Sequence, residues 1–205
     1  MSKVQPSILG EIVLENKNIK KYTSVELSKK MSVVLTEKIP SSNLTVYELI
    51  ALGRQVYTNW IGTLTTNDKT IINQAIEQVN IDNIKNNKID ELSDGQYQKV
   101  MIARALAQDT SVILLDEPTA HLDVVNKAEI FKLLKELVVK QNKTILISSH
   151  ELQLSIQIAD DLWLMTDDEF ISGSKEELIK NDALSGLFKS DIISFDKKSN
   201  QIVFL

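Results

Sequence analysis

An α/β fold built on a parallel sheet is the class this sequence predicts, and two observations predict it. After Gly95, short apolar runs alternate with amphipathic stretches: Val112–Leu115, Asn126–Lys140, Thr144–Ile147, Leu152–Ala159 and Leu162–Met165 read as strand, helix, strand, helix, strand. A βαβαβ order closes into parallel strands through right-handed crossovers. Residues 38 to 93, by contrast, carry helical stripes and polar connections and read as a mainly helical insert. The expected organisation is one domain over 1–205, incomplete at its N-terminal side, with the insert at 38–93 and the rest of the core, with a closing hairpin, at 94–205.

Ile8-Leu9-Gly10-Glu11-Ile12-Val13-Leu14 is strand-like with no earlier element to pair with, so the chain reads as if it opened in mid-domain. Ser24 is placed to cap a short helix carrying Glu26 and Leu27, and Met31 to Leu35 is β-rich enough for a buried strand. Val46, Leu49 and Ile50 share one stripe of a helix from Thr45 to Gly53. A second helix runs from Asp68 to about Val79, and the Asn-rich segment up to Lys88 reads as a solvated connection. Val100, Ala103 and Ala107 mark a helix that ends near Gln108. The run Val112 to Leu115 is too short for a helix and suits a fully buried parallel strand. In Asn126–Lys140, Ile130, Leu133, Leu134, Leu137 and Val138 face inward while Lys127, Lys132, Lys135 and Glu136 face water. Ile192–Phe195 and Ile202–Leu205, around Lys197-Lys198-Ser199-Asn200, make a small hairpin.

Composition narrows the function classes. With 205 residues, 43% hydrophobic and 25% charged, the chain can bury an ordinary core. A net charge of −5 argues against nucleic acid as the main partner, since that affinity comes from clustered Lys and Arg. Cysteine is absent, which excludes disulfides and thiolate metal sites and suits the cytoplasm. No apolar run approaches the roughly 18 to 20 residues of a membrane span, so any membrane role comes through a partner.

Three strings carry chemistry: Leu92-Ser93-Asp94-Gly95-Gln96, Leu114-Leu115-Asp116-Glu117-Pro118 and Ser148-Ser149-His150. A strand ending in Asp116-Glu117 puts two carboxylates at the carboxyl edge of a parallel sheet, where ligands of such sheets bind. Asp116 is suited to Mg²⁺, directly or through water, and Glu117 to polarising an attacking water. The same residues can simply terminate a strand, with Pro118 turning the chain. Ser93 and Gly95 open a helix whose free N–H groups favour an anion such as a γ-phosphate, or Ser93 or Asp94 is an ordinary cap. His150 follows a strand and a Ser-Ser pair, which brings its ring to the edge that holds Glu117. There it could donate to a phosphate or orient water. Asp123, six residues after Glu117, is by spacing alone a helix cap, and His121 carries no assigned chemistry.

Together the strings resemble the ABC-type ATPase family over essentially the whole chain. Leu92 to Gln96 is similar to its L-S-G-G-Q signature with Asp94 replacing the first glycine, and Leu114 to Glu117 to its Walker B motif with the catalytic glutamate. Ala120-His121-Leu122-Asp123 resembles its D-loop and His150 its switch histidine. Asn43 to Arg54, Ile102 to Gln108, the A-H-L-D turn and Ile192 to Asp196 resemble the ATP-binding subunits that import ferric siderophores, haem and cobalamin. The resemblance implies a P-loop NTPase (RecA-like) core with a mostly parallel sheet and a helical subdomain. It also implies a homodimer that clamps two ATP molecules with Mg²⁺, hydrolyses them, and drives a pair of membrane permease subunits from the cytoplasmic face. On that footing Asp116 is the metal residue, Glu117 and His150 are catalytic, and Ser93, Gly95, Gln96, Asp123 and Glu37 touch nucleotide.

Three departures stand out. None of the six glycines is followed by lysine, so no G-x-x-x-x-G-K-[ST] phosphate loop is present. The expectation is an N-terminal truncation that removes the loop and the strands before it, leaving a chain that alone binds ATP poorly. Glu37 occupies the position of the family's Q-loop glutamine, adding a charge. Asp94 brings a second charge near a phosphate site, tolerable if its side chain caps the helix. The alternatives are a catalytically dead fragment that keeps the signature and the permease-docking lobe, with Tyr47, Tyr57 and Trp60 as a candidate dock, or a soluble non-transport ABC protein. The last is disfavoured by the acidic balance and the lack of a long coiled coil.

Overall fold

Three parallel strands, Met31–Val34 (β3), Val112–Asp116 (β4) and Thr144–Ser148 (β5), form a sheet in the order β3-β4-β5. The computed structural model describes residues 10–37, 39–40, 43–165, 169–187, 192–197 and 199–205. They fall into two compact units, 1–148 and 149–205. The sheet belongs to the first. β4 lies at its centre, with Leu115 opposite Val34 on one side and Asp116 opposite Ser148 on the other. Ile113 and Leu115 of β4 are fully buried. Val112 and Leu114 on its other face are half-buried against Ile19, Tyr22, Leu27 and Met31, so the expected fully buried strand is buried on one face and partly covered on the other, and it turns polar only where it reaches the edge.

Upstream, the described part of the strand-like run pairs forwards. Val13–Leu14 (β1) forms an antiparallel hairpin with Lys17–Asn18 (β2) through Glu15 and Asn16, both at positive φ. That turn chemistry replaces the expected long strand from Ile8, whose first residues lie outside the described ones. The short helix Ser24–Ser28 (α1) is capped by Thr23, not Ser24: Thr23 Oγ1 accepts from the Glu26 N–H while Glu26 accepts from the Thr23 N–H. Reciprocal caps of this kind also start the helices Val46–Ala51 (α2; Thr45 with Glu48) and Thr66–Gln78 (α3; Thr65 with Asp68).

Helices α2 and α3 pack with Asp94–Ala107 (α4) around Leu49, Ile50, Ile72, Ile76, Val100 and Ile102, all essentially inaccessible to solvent. Fully burying each such side chain is worth about 1.5–3 kcal/mol. The segment before Lys88 differs from the expected solvated connection. Ile81 and Ile84 are buried in this core, and Thr45 bridges Lys88, so the segment is anchored through its isoleucines. The same core takes Ile130, Leu134 and Leu137 from Val124–Gln141 (α5), which begins two residues before the expected start and ends at Asn142 in the left-handed region.

In the second unit, Leu152–Ile158 (α6) precedes Asp161–Met165 (β6), which pairs antiparallel with Phe170–Ser174 (β7). The expectation that β6 extends the parallel βαβαβ series is therefore corrected. Its partner follows directly in sequence, and local pairing of that kind makes a ribbon, not a crossover. Lys175–Lys180 (α7) and Ala183–Leu187 (α8), not foreseen, seat Leu178 and Leu184 against Ile156, Leu162 and Leu164. The closing hairpin is Ile193–Asp196 (β8) with Gln201–Phe204 (β9). Trp163, Met165 and Phe170 lie on an exposed face of the β6–β7 ribbon, with the Trp163 and Phe170 rings edge to face at 6.2 Å.

Candidate functional site

The site forms where β4 ends. Asp116 is the last residue of the strand, and two hydroxyls from its neighbours meet it. Ser148 Oγ, at the paired position of β5, donates to Asp116 Oδ1 at 2.6 Å. Thr36 Oγ1, two residues past β3, lies 2.9 Å from the Asp116 carbonyl oxygen and 3.3 Å from Oδ2. Ser148 also accepts from the Glu117 N–H through Oγ at 3.1 Å, so one hydroxyl ties the Asp116 carboxylate to the backbone of the next residue. Glu117 itself sits at φ +44, in the left-handed region. For a non-glycine side chain that conformation costs on the order of 1–2 kcal/mol. The turn Glu117-Pro118-Thr119-Ala120 is closed by the Ala120 N–H donating to the Glu117 carbonyl at 3.0 Å, with Pro118 and Thr119 buried. The strand is thus bent sharply at its acidic pair and the Glu117 backbone is over-determined.

Beyond the turn, Asp123 caps α5. Its Oδ1 accepts from the Asn126 N–H at 2.8 Å and its Oδ2 from Asn126 Nδ2 at 2.7 Å. These bonds hold the Asp123 carboxyl below the usual carboxylate range, the Asn126 backbone N–H contributing most. The spacing argument for a cap is therefore what the structure shows for Asp123. At the start of α4 the cap is Ser93: its Oγ accepts from the Gln96 N–H at 3.3 Å, and Gln96 Oε1 accepts from the Ser93 N–H at 3.0 Å. Ser93 keeps its own O–H for a further acceptor. Asp94 is not the cap, which corrects the condition on which its charge was to be tolerated. It is exposed and lines a cavity of about 40 Å³ with Thr36, Tyr97, Gln98 and Glu117. Gln98 Nε2 is buried with no hydrogen-bond partner among the described residues; a cavity of this size admits water that can satisfy it. Tyr97 Oη accepts from the Ile39 N–H at 2.8 Å, fastening α4 to the loop that carries Glu37.

The structure brings Asp116 and Glu117 together with Thr36 and Ser148, and puts Asp94 on the Glu117 cavity. Glu37, exposed, follows Thr36 directly. His150 is exposed, two residues past Ser148 at the start of the second unit, where its carbonyl accepts from the Leu152 N–H. Sequence reasoning missed Thr36 and Ser148. Ser148 stood in the Ser-Ser pair before His150, and the parallel register that sets it opposite Asp116 was the signal that could have found it. The edge fits a hard cation. Every donor around Asp116 is oxygen, and no group of three or more His, Cys, Asp or Glu side chains among the described residues forms a metal cage. That combination suits Mg²⁺ held by one carboxylate, water and phosphate oxygens.

Comparison with known proteins identifies what the chain is similar to. A family model described as ABC transporter matches residues 1–120. The ABC transporter ATP-binding protein MJ0873 of Methanocaldococcus jannaschii is 37% identical over 201 residues, covering 94% of this chain and 69% of that protein. The iron(3+)-hydroxamate import ATP-binding protein FhuC of Bacillus subtilis is 34% identical over 207 residues, covering the full chain and 77% of its own length. Among solved structures, the ADP conformation of MJ1267, an ATP-binding cassette of an ABC transporter, superposes with a TM-score of 0.72 at 28% identity, over 85% of this chain and 72% of that one.

Proposed function

The chain belongs to the ABC transporter ATP-binding family, and from that premise we propose that it energises an importer of iron chelates, with the edge at Asp116 and Glu117 as its hydrolytic centre. The observation that carries the reading is the hydroxyl clamp. Ser148 fixes the Asp116 carboxylate and the Glu117 backbone N–H at once, so one hydroxyl sets the orientation of Asp116 and the backbone from which the Glu117 carboxylate starts, at an edge open to a triphosphate. Asp116 would hold Mg²⁺, directly or through water. Glu117 takes a proton from the attacking water, a general-base contribution of roughly 10²–10⁴-fold. His150, the first histidine beyond Ser148, orients that water or donates to the γ-phosphate. Bound Mg²⁺-ATP supplies the scissile phosphoanhydride bond.

Ser93, Gly95 and Gln96 act on the nucleotide of a second copy from the start of α4, where the first turn of a helix favours an anion. Asp123 lines the same interface, and Glu37 stands by the metal edge. The sequence carries no G-x-x-x-x-G-K-[ST] string, so these assignments concern the signature, acidic-edge and D-loop side of the nucleotide. Closure of two copies on ATP would push on permease subunits at the cytoplasmic membrane face. No described helix is long and apolar enough to cross a membrane. Of the aromatic residues in the helical insert, Trp60 is 94% exposed and is the one suited to a permease contact; Tyr47 packs on the core, and the Tyr57 hydroxyl donates to the Gln108 carbonyl at 3.1 Å. The iron-chelate cargo rests on the import function named for the hydroxamate relative.

The test is ATP binding and turnover by the protein assembled with its permease in vesicles, with ferric hydroxamate uptake read in parallel. Glu117→Gln is expected to abolish turnover and retain ATP. Undiminished turnover removes Glu117 from the base role, and wild-type binding without turnover assigns the chain to the non-hydrolysing alternative.

A further inference from the structure

Between the two turns that carry Gly95 and Asp123 stands one side chain with no role assigned so far. Asn126 donates from Nδ2 to Asp123 Oδ2 at 2.7 Å, and this bond fixes which way its amide points. Its oxygen then faces α4. A Cβ added to Gly95 would lie 2.6 Å from Asn126 Oδ1 and 2.9 Å from Cγ, closer than non-bonded atoms approach. The colliding atoms are the end of the Asn126 side chain, so relieving the contact means moving an amide that its bond to Asp123 holds in place. Gly95 has a helical φ, so its lack of a side chain answers to this amide and not to backbone conformation.

We infer that Asn126 is a positioning residue that braces the Asp123 turn against the Gly95 turn, so that a displacement of either is transmitted to the other. Both ends of the amide are used: the NH₂ end grips the carboxylate and the C=O end fills the space beside the glycine. The functional meaning rests on the ATPase reading above, in which both turns face nucleotide. Within one subunit, Asn126 would report occupancy of the signature turn to the D-loop. Its physical content concerns this chain alone and can be read without nucleotide.

The experiment is heteronuclear NMR on the ligand-free full chain, following the Gly95 backbone amide resonance, combined with a thermal double-mutant cycle. Asp123→Asn is expected to shift the Gly95 resonance in the wild-type background. In Asn126→Leu, which keeps a side chain of similar volume beside Gly95 but can neither donate nor accept, the same substitution should leave Gly95 unmoved. Asn126→Ala should do likewise, which guards against a folding defect in one variant. In the thermal cycle, Gly95→Ala is expected to lower Tm by roughly 5 °C in the wild type and by less than half of that in Asn126→Ala. An equal Gly95 shift in all three backgrounds, or an undiminished Tm loss in Asn126→Ala, overturns the proposal. Loss of ATP turnover in the vesicle assay bears only on the functional reading, so the two failures are separable.

Discussion

Two aspartates in the first unit carry the same charge under opposite conditions. Asp68 is buried in the helical lobe at 3% exposure, where Arg54, at 4%, donates from Nε at 2.8 Å. Thr65 donates to its other oxygen from N–H and hydroxyl, and Arg54 continues to the Ala107 carbonyl at 2.9 Å, closing the end of α4. Asp116 is exposed, and its carboxylate meets the Thr36 and Ser148 hydroxyls instead of a buried cation. The difference teaches what each is for. Asp68 has its charge cancelled and its lone pairs taken, so it holds helices together. Asp116 has hydroxyls beside it and its face to solvent, so it is available to a cation.

Breaking the buried pair should have the largest effect. Arg54→Ala leaves the Asp68 carboxylate buried without its cation and is expected to cost about 3–5 kcal/mol in chemical denaturation, whereas Asp116→Ala should cost about 1 kcal/mol or less. Comparable losses would erase the distinction between the two sites. Acid sharpens the same contrast. Thr65, with Arg54 adding to it, holds the Asp68 carboxyl below the usual carboxylate range against the opposing effect of burial. A depressed folded pKa gives stability that is present above the unfolded value, about 3.9, and is lost as pH falls through the folded value. Denaturation midpoints measured from pH 6 downward should therefore fall below about pH 4, and less steeply in Asp68→Asn once its lower starting stability is allowed for.

Glu117→Gly works in the other direction. It relieves the left-handed strain and should raise stability by about 1 kcal/mol while removing the proposed base, so a variant that is both more stable and inactive is expected. Ser148→Ala should cost about 1 kcal/mol and reduce turnover without abolishing ATP binding, because the acidic pair survives but is no longer held. Smallest of all, Lys140→Ala removes an exposed ion pair to Glu136 at 2.8 Å and should change stability by less than about 0.5 kcal/mol.

Local chemistry made much of the fold legible. Val46, Leu49 and Ile50 announce α2 by their shared stripe, Val112 to Leu115 is apolar enough to be a central strand, and Asn200 with its polar neighbours marks the last turn. Long-range facts were not legible. Nothing in Phe170-Ile171-Ser172-Gly173-Ser174 advertises a strand until β6 lies beside it, since its alternation is weak and interrupted by glycine. In the site, the carboxylates were readable because a strand end followed by proline is a local pattern. The hydroxyls of Thr36 and Ser148 were not, because their use depends on partners 80 and 32 residues away. Gly95 looked like a phosphate contact; its packing against Asn126 becomes visible only when α4 and α5 are side by side.

The tryptophans are shared out one to each unit, Trp60 at 94% exposure and Trp163 at 47%. Trp60 starts in a largely aqueous setting and Trp163 half covered beside Phe170, so a chain keeping only Trp60 is a spectroscopic reporter for the helical lobe and one keeping only Trp163 for the C-terminal ribbon. A blue shift in one emission band and not the other would identify which surface a lipid-embedded partner covers.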